Sequence, residues 1–420
     1  MIDPHAATAR LWYRSPGRLV VAFIAACAMS VLVALTASTW LHQFDLRIYF
    51  DAIAWWHRGN DVYSYSQPDA LMGSLGFTYP PFAAVVLWPI GWMTFPALQI
   101  VMLALIVVCG AACVALVIAR TALIRGRSLA AAVLVATPLA FTLEPWRQNL
   151  SLGQINLVLA ALITVDLLRV SVHRPRWTGM GIGLAMALKI TPGVFLLPLL
   201  ATRRWRALAV AVGTAAVATS LAALVLPSAS WRFFTDYLWD TARVGDVSNI
   251  QNQSVRGWIS RVIPDQLVQA ILWAVVSVVV VLLALGAVVR TEARSAPVAT
   301  LAVTGLAGIL VAPVSWMHHA VWVMPALACL VQRFLEIRRT TGQPADRRLV
   351  LALVISGVIV WCLHPGTYLS PDTDYASAGL GIRLLSGLPV LWCLVFLVVA
   401  RLRPELLAAR PAATSGAGTR

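Results

Sequence analysis

Long apolar stretches separated by short polar joints set the pattern of this chain. From about Leu19 to Ser38 nearly every position is apolar. That run supplies the ~20 helical residues a hydrocarbon core requires, is too long for the apolar part of a signal peptide, and reads as a retained anchor. A polar, aromatic segment from Leu41 to Thr78 follows. Residues 80–120 are apolar again, but Pro89 and Pro96 interrupt them, which predicts a half-helix near 80–94 and a true span over 97–120. Spans are expected near 129–144 and 154–170, joined by the polar turn Glu144-Pro-Trp-Arg-Gln-Asn-Leu-Ser-Leu-Gly153. The stretch 178–201 breaks at Lys189-Ile-Thr-Pro192, so it enters and returns with two short arms. Arms at 207–227 and 265–289 flank a polar loop from Ser228 to Pro264, and further spans fall at 296–314, 320–337, 347–364 and 380–401.

Nothing alternates with the period of a barrel strand, and a backbone in lipid must satisfy its own hydrogen bonds. The fold class expected is therefore an all-α polytopic membrane protein. It should have about twelve transmembrane helices, with short outer-face helices and broken or re-entrant segments. Residues 1–410 read as one transmembrane domain, and the small, polar residues 411–420 as a disordered tail.

Composition agrees: 60% of residues are hydrophobic and 12% charged, about half the charge of an ordinary soluble domain. The net charge of +15 would suit a polyanion, but its placement points elsewhere. Arginines gather at Arg10–Arg18, Arg120–Arg127, Arg169–Arg176, Arg203–Arg206, Arg290–Arg294, Arg333–Arg348 and Arg401–Arg420. The threading above puts all of these on one side, with 23 Arg against 6 acids there, and 8 Arg and one Lys against 11 acids on the other. By the positive-inside rule the rich side is cytoplasmic, as are both termini, and no nucleic-acid partner is needed. The six cysteines lie in or at the ends of apolar stretches and read as packing residues, with no disulfide framework.

The outward ends of the spans then hold the unusual polar residues. Asp45 begins an amphipathic segment just past the first span and could act as a base or as a helix N-cap. Lys189, the only lysine, sits in an apolar span, where an ionisable residue suggests function; its cation could meet a lipid phosphate, or simply snorkel. His318 and His319 close an apolar run. With no His-x-x-x-His spacing or acidic partner, they suit a phosphate or hydroxyl better than a metal. Glu144, Arg147, Gln154 and Asn156 flank the polar turn, and Asn252, Ser254 and Arg256 mark the densest amide cluster; such groups can bind sugar hydroxyls or cap and brace loops. Tyr79, in Phe77-Thr-Tyr-Pro-Pro-Phe, enters a helix by a rigid turn.

In this order, Asp45-Leu-Arg-Ile-Tyr, Phe77-Thr-Tyr-Pro-Pro-Phe-Ala-Ala, Glu144-Pro with Gly153-Gln-Ile-Asn, Lys189-Ile-Thr-Pro, Asn252-Gln-Ser-Val-Arg-Gly and Ser315-Trp-Met-His-His-Ala-Val-Trp resemble the polyprenol-phosphate-mannose-dependent α-1,2-mannosyltransferases of the GT-C superfamily. The resemblance runs from residue 45 to about residue 325 and implies an inverting glycosyltransferase of an actinobacterial cell envelope, working at the outer face of the plasma membrane. It implies Asp45 as base, polyprenyl-phosphate-mannose as donor, and a mannosylated glycolipid (a phosphatidylinositol mannoside or a lipomannan) as acceptor. It also implies no cofactor and no Asp-x-Asp metal site. Competing readings are a transferase of arabinofuranose from a similar carrier and, in a different class, a secondary transporter or lipid flippase.

Overall fold

The computed structural model describes residues 16–36, 43–69, 73–121, 126–339, 343–363, 375 and 377–407. The expected tail at 411–420 lies outside them. The architecture is helical. In chain order come α1 (Pro16–Thr36), α2 (Phe44–His57), α3 (Pro81–Leu87), α4 (Phe95–Thr121), α5 (Gly126–Ala140) and α6 (Glu144–Leu152). Next are α7 (Asn156–Val165, carried on through a wider turn to His173), α8 (Met180–Leu188), α9 (Leu196–Ala201), α10 (Trp205–Val225), α11 (Pro227–Arg232) and α12 (Val255–Val262). The last are α13 (Gln266–Glu292), α14 (Pro297–Val311), α15 (Val323–Arg339), α16 (Pro344–Cys362), α17 (Leu380–Leu385) and α18 (Leu388–Leu402). Buried apolar residues from Leu46 to Leu407 form one continuous core.

Six helices among the described residues are long and apolar enough to cross a membrane, or seven if α5 and α6, bent by 77°, count as one span. The expected number near twelve is larger because it counts short apolar helices such as α14 and α18, of 15 residues each. Outward-facing apolar side chains are common on α1, α4, α10 and α13, as a lipid-facing surface demands. Exposed tryptophans bracket α10, Trp205 at its start and Trp231 just past its end. Its 21 residues span about 31 Å at 1.5 Å per residue, so the two indoles mark the two levels where aromatic belts sit.

Two local features differ from the sequence reading, and the break at Lys189 agrees with it. The turn from Glu144 to Gly153 is a helix, α6, most of whose residues are buried; its polar side chains find partners inside the protein, so polarity here does not mean solvent. The segment between α2 and α3 contains a small antiparallel hairpin, β1 (Ser66–Asp69) with β2 (Gly73–Gly76), in register Ser66 to Gly76 and Asp69 to Gly73. The apolar run before Lys189 stops where α8 ends and gives way to a 3-10 turn at Thr191–Phe195, since Pro192 cannot continue an α-helix from Leu188.

One residue sets how α2 lies on α6. Gly153 closes α6 in the left-handed region at φ 69°, and a Cβ placed there would stand 2.6 Å from Leu46 Cβ. The backbone bond from Gln43 N–H to Ser151 O, 2.6 Å, ties the same two elements. Gly153→Ala should therefore strain the backbone and push α2 outward. Its thermal midpoint in detergent should fall by several degrees. Gly213→Ala, in mid-α10 with nothing within 4 Å, should hold or gain stability. Equal midpoints for the two variants would refute the close approach.

Candidate active site

The contact between Leu46 and Gly153 brings the neighbours of both into reach. Asp45 lies in the first turn of α2, and Gln154 follows the glycine. Gln154 Nε2 donates to Asp45 Oδ2 at 2.6 Å, while Asp45 Oδ1 takes no hydrogen bond from the described residues. Gln154 Oε1 in turn accepts from the Tyr79 hydroxyl at 2.9 Å. That hydroxyl lies 2.6 Å from the Tyr49 hydroxyl, one turn along α2 from Asp45. Tyr79 stands just before Pro80 and Pro81, which start α3, and the Tyr63 hydroxyl fixes its carbonyl at 2.7 Å.

From Gln154 the chain of polar groups continues inward. Asn156 Nδ2 approaches Gln154 Oε1 at 3.5 Å and donates to Asn149 Oδ1 at 3.2 Å. Asn156 Oδ1 accepts from Lys189 Nζ at 3.0 Å. Lys189 Nζ is also 3.0 Å from His319 Nε2 and 5.0 Å from the centroid of the Tyr79 ring. Because an ammonium only donates, His319 Nε2 must accept, which places that ring's proton on Nδ1. His319 Nδ1 and His318 Nε2 are buried and have no partner among the described residues, so two imidazole nitrogens at this point are unused. The two rings are perpendicular, with centroids 4.7 Å apart and planes at 86°; His319 alone reaches Lys189. Their 3-10 turn, Met317–Trp322, is pinned from α6: Asn149 Nδ2 donates to His318 O at 2.9 Å and Trp146 Nε1 to Val321 O at 3.1 Å. A small cavity of about 50 Å³ lies beside Asn156 and His319.

Asp45 is half-buried. Burial raises its pKa from the ordinary carboxylate value to about 6, and the field of Asp69 adds to the rise, while the Gln154 hydrogen bond and the Lys189 cation oppose it. The direction is that of a proton held more tightly in the folded protein, so the folded state loses stability as pH rises toward 6 and Asp45 ionises. Among groups near neutrality, a carboxyl with this pKa can switch between giving and taking a proton.

Asp45, Tyr79, Gln154, Asn156, Lys189 and His319 thus form one connected cluster, with His318 beside it. Glu144 and Arg147 turn to each other instead. They form a buried ion pair; Arg147 also donates to Thr142 O at 2.9 Å and Glu144 accepts from Gln148 at 2.9 Å, so the pair braces the start of α6. Asn252 and Ser254 likewise serve the backbone. Asn252 Oδ1 accepts from Ser315 N–H at 2.9 Å and Ser254 N–H at 3.2 Å. Ser254 Oγ caps α12 by accepting from Gly257 N–H at 3.0 Å. These bonds hold the loop against the strand-like residues that lead into the histidines, with Asn252 paired to Trp316. Arg256 lies over the Trp273 ring, 5.3 Å from its centroid, away from the cluster's hydrogen bonds.

Sequence reasoning missed Gln43 and gave Tyr49 no role. Gln43 precedes α2 with φ 46°, unusual for a residue with a Cβ, and both polar atoms of its buried side chain lack a partner among the described residues. No hydropathy pattern could reveal it; Tyr49, one turn from Asp45, was visible in the spacing. The expectation that no Asp-x-Asp occurs is also corrected: Asp372-Thr-Asp374 has that spacing and lies outside the described residues.

Comparison with known proteins places the chain in a family. A polyprenol-phosphate-mannose-dependent alpha-(1-2)-phosphatidylinositol mannoside mannosyltransferase of Mycobacterium tuberculosis is 33% identical over 86% of this chain and 85% of its own. A protein of the same description from Mycolicibacterium smegmatis is 32% identical over 85% of this chain and 83% of its own. A further protein from that organism, described as acting on the phosphatidylinositol pentamannoside, is 31% identical over 77% of each chain. No solved structure matches. The family model for glycosyltransferase family 87 matches residues 77–313, and with these relatives the chain belongs to that family of glycosyltransferases.

Proposed function

We propose that the protein transfers mannose from polyprenyl-phosphate-mannose to a hydroxyl of a phosphatidylinositol mannoside, forming an α-1,2 linkage with inversion. The observation that carries the mechanism is the unbroken polar path from Asp45 through Gln154 and Asn156 to Lys189 and His319. It offers a base at one end and cationic and N–H donors at the other, as a single displacement requires.

In this reading the acceptor oxygen attacks the anomeric carbon as Asp45 Oδ1 takes its proton. The bond from that carbon to the phosphate oxygen breaks, and polyprenyl phosphate leaves with the electron pair. Lys189 Nζ and the unused imidazole nitrogens of His318 and His319 would bind the developing phosphate charge. Gln154 and Tyr79 orient the base and, with Tyr49 and Asn156, face the sugar. Phosphate leaves readily, so the second carboxylate of a glycosidase pair is not needed. Glu144, Arg147, Asn252 and Ser254 support the site from behind, and Arg256 is assigned to the approach of the lipid. The site sits at the outer face of the plasma membrane, both termini are cytoplasmic, and the shorter apolar helices complete a bundle of about twelve crossings.

Purified protein given radiolabelled polyprenyl-phosphate-mannose should label phosphatidylinositol mannosides, and transfer only to lipomannan would replace the proposed acceptor. Asp45→Asn should lower kcat by about 10²–10⁴-fold with donor affinity nearly unchanged. Because a base must be ionised, kcat/KM should rise with pH through an apparent pKa near 6. Full turnover in a folded Asp45→Asn protein would remove Asp45 from the chemistry.

Lys189→Ala should instead weaken donor binding about 10–100-fold, with Lys189→Arg recovering part of it, as titration with a donor analogue would report. Unchanged affinity in both would return Lys189 to a purely structural place.

For the orientation, single cysteines at Ser66 and Trp239, in a variant without the native cysteines, should react with an impermeant thiol reagent in intact cells. One at Arg174 should react only after permeabilisation. Labelling of the Arg174 position in sealed cells would invert the topology.

A further inference from the structure

The far end of the bundle carries a second built cleft. From Asn156, in the cluster, α7 runs some three turns to Leu168, about 18 Å at 1.5 Å per residue. There Arg120, at the end of α4, donates to Leu168 O. A cavity of about 330 Å³ opens at this level, lined by Arg120, Arg204, Glu292 and the hydroxyls of Ser171, Thr202 and Ser295. A second, of about 470 Å³, lies across the short helix α9 and the last turns of α13. Its walls are Leu200, Leu285 and Val289, with Arg290 and Arg401 at its edge.

The two differ in a telling way. The first sets charged and hydroxyl groups among apolar ones and the second is mainly apolar, yet consecutive residues of α9 and the end of α13 serve both. Together they carry four arginines against one carboxylate. Arg401 is held in place: its side chain lies on Gly286, where even a Cβ would stand 2.3 Å from Arg401 Nε, and Arg290 donates to Arg401 O at 2.9 Å. A positively charged mouth beside a lipid-facing apolar trough matches one kind of molecule, an anion with an acyl chain. A free phosphate would leave the trough unfilled, and a neutral lipid would leave the arginines unmatched.

We propose that this cleft is a binding site for an anionic phospholipid of the bilayer, its headgroup among Arg204, Arg290 and Arg401 and one acyl chain along Leu200, Leu285 and Val289. The site lies at the opposite end of α7 and α14 from the cluster around Asp45. It is therefore distinct from any place where donor and acceptor react, and its occupancy does not depend on the catalytic reading. A lipid there would clamp α9 to α13 and so steady the segment that carries Lys189 at its other end.

The test is native mass spectrometry of the full chain, purified in mild detergent and given equal amounts of phosphatidylglycerol and phosphatidylcholine. The wild-type protein should retain phosphatidylglycerol over phosphatidylcholine by about tenfold. Arg204→Gln/Arg290→Gln/Arg401→Gln should lose that preference, and Arg174→Gln, an exposed arginine outside the cleft, should keep it. Leu200→Trp fills the trough and leaves the charges, so it should lower retention even if the triple variant fails to fold. Equal retention of the two lipids by the wild type would overturn the proposal. So would undiminished preference in the triple variant, undiminished retention in Leu200→Trp, or displacement of the lipid by millimolar inorganic phosphate.

Discussion

The candidate site depends on a backbone approach too close for any residue but glycine. Asp45 belongs to α2, which packs against α3, α4 and α6, and nothing in its own sequence says where that helix will settle. The left-handed turn at Gly153 and the absence of a Cβ there let Leu46 come within contact of the α6 terminus. Once Leu46 is seated, the adjacent Asp45 falls against Gln154, the residue after the glycine. Everything further inward is built on Gln154 and Asn156, two residues apart at the start of α7. The amphipathic α2 and the polar α6 thus fix a constellation whose members come from residues 45 to 319. Coupling between them is mechanical as much as electrostatic.

How far the chain could be read in advance follows from what each feature needs. The apolar helices were legible because a span of ~20 residues leaves a long signature. The breaks at Pro89 and near Pro192 were legible because proline removes a donor wherever it stands. The α6 segment was not. Glu144, Arg147, Gln148 and Asn149 look like a solvated turn, and only tertiary partners (each other, Thr142 O, Gln251 and His318 O) make them a buried helix. The hairpin at Ser66–Gly76 escaped for a similar reason, since its short strands have no apolar alternation. Asn252 and Ser254 show the converse limit: an amide cluster that could equally bind sugar or brace a loop uses its polar atoms on the main chain. Sequence could place polar residues at one end of the helices, but not sort those facing a cavity from those holding its walls.

The buried polar path also explains why this end of the bundle can tolerate so many polar groups in an apolar chain. An unpaired polar atom away from water costs about 1–3 kcal/mol, so a cluster of this size persists only if most members partner one another. Those of Gln154, Asn149 and Asn156 do. The exceptions are informative by their position: His319 Nδ1 and His318 Nε2 lie at the Lys189 end of the path, and Asp45 Oδ1, which takes no hydrogen bond from the described residues, lies at the other. Unmet hydrogen-bonding capacity at both ends of an otherwise satisfied network is what a site awaiting a large polar ligand would have.

The electrostatic balance at Asp45 completes the argument. Burial and Asp69 favour the protonated carboxyl, while Gln154 and Lys189 favour the ionised one, and the outcome is a pKa near 6. A carboxylate left at its solution pKa would be ionised but a poor proton acceptor from a sugar hydroxyl. One raised much further would be protonated and useless as a base at neutral pH. The opposing influences come from different elements: Asp69 from the hairpin, Gln154 from the α6–α7 turn, Lys189 from the broken helix. A donor phosphate arriving beside Lys189 would offset that cation's field at Asp45 and raise the carboxyl's affinity for a proton further. On the proposed mechanism the base would then strengthen when the donor is in place, which would link proton abstraction from the acceptor to occupancy of the phosphate end.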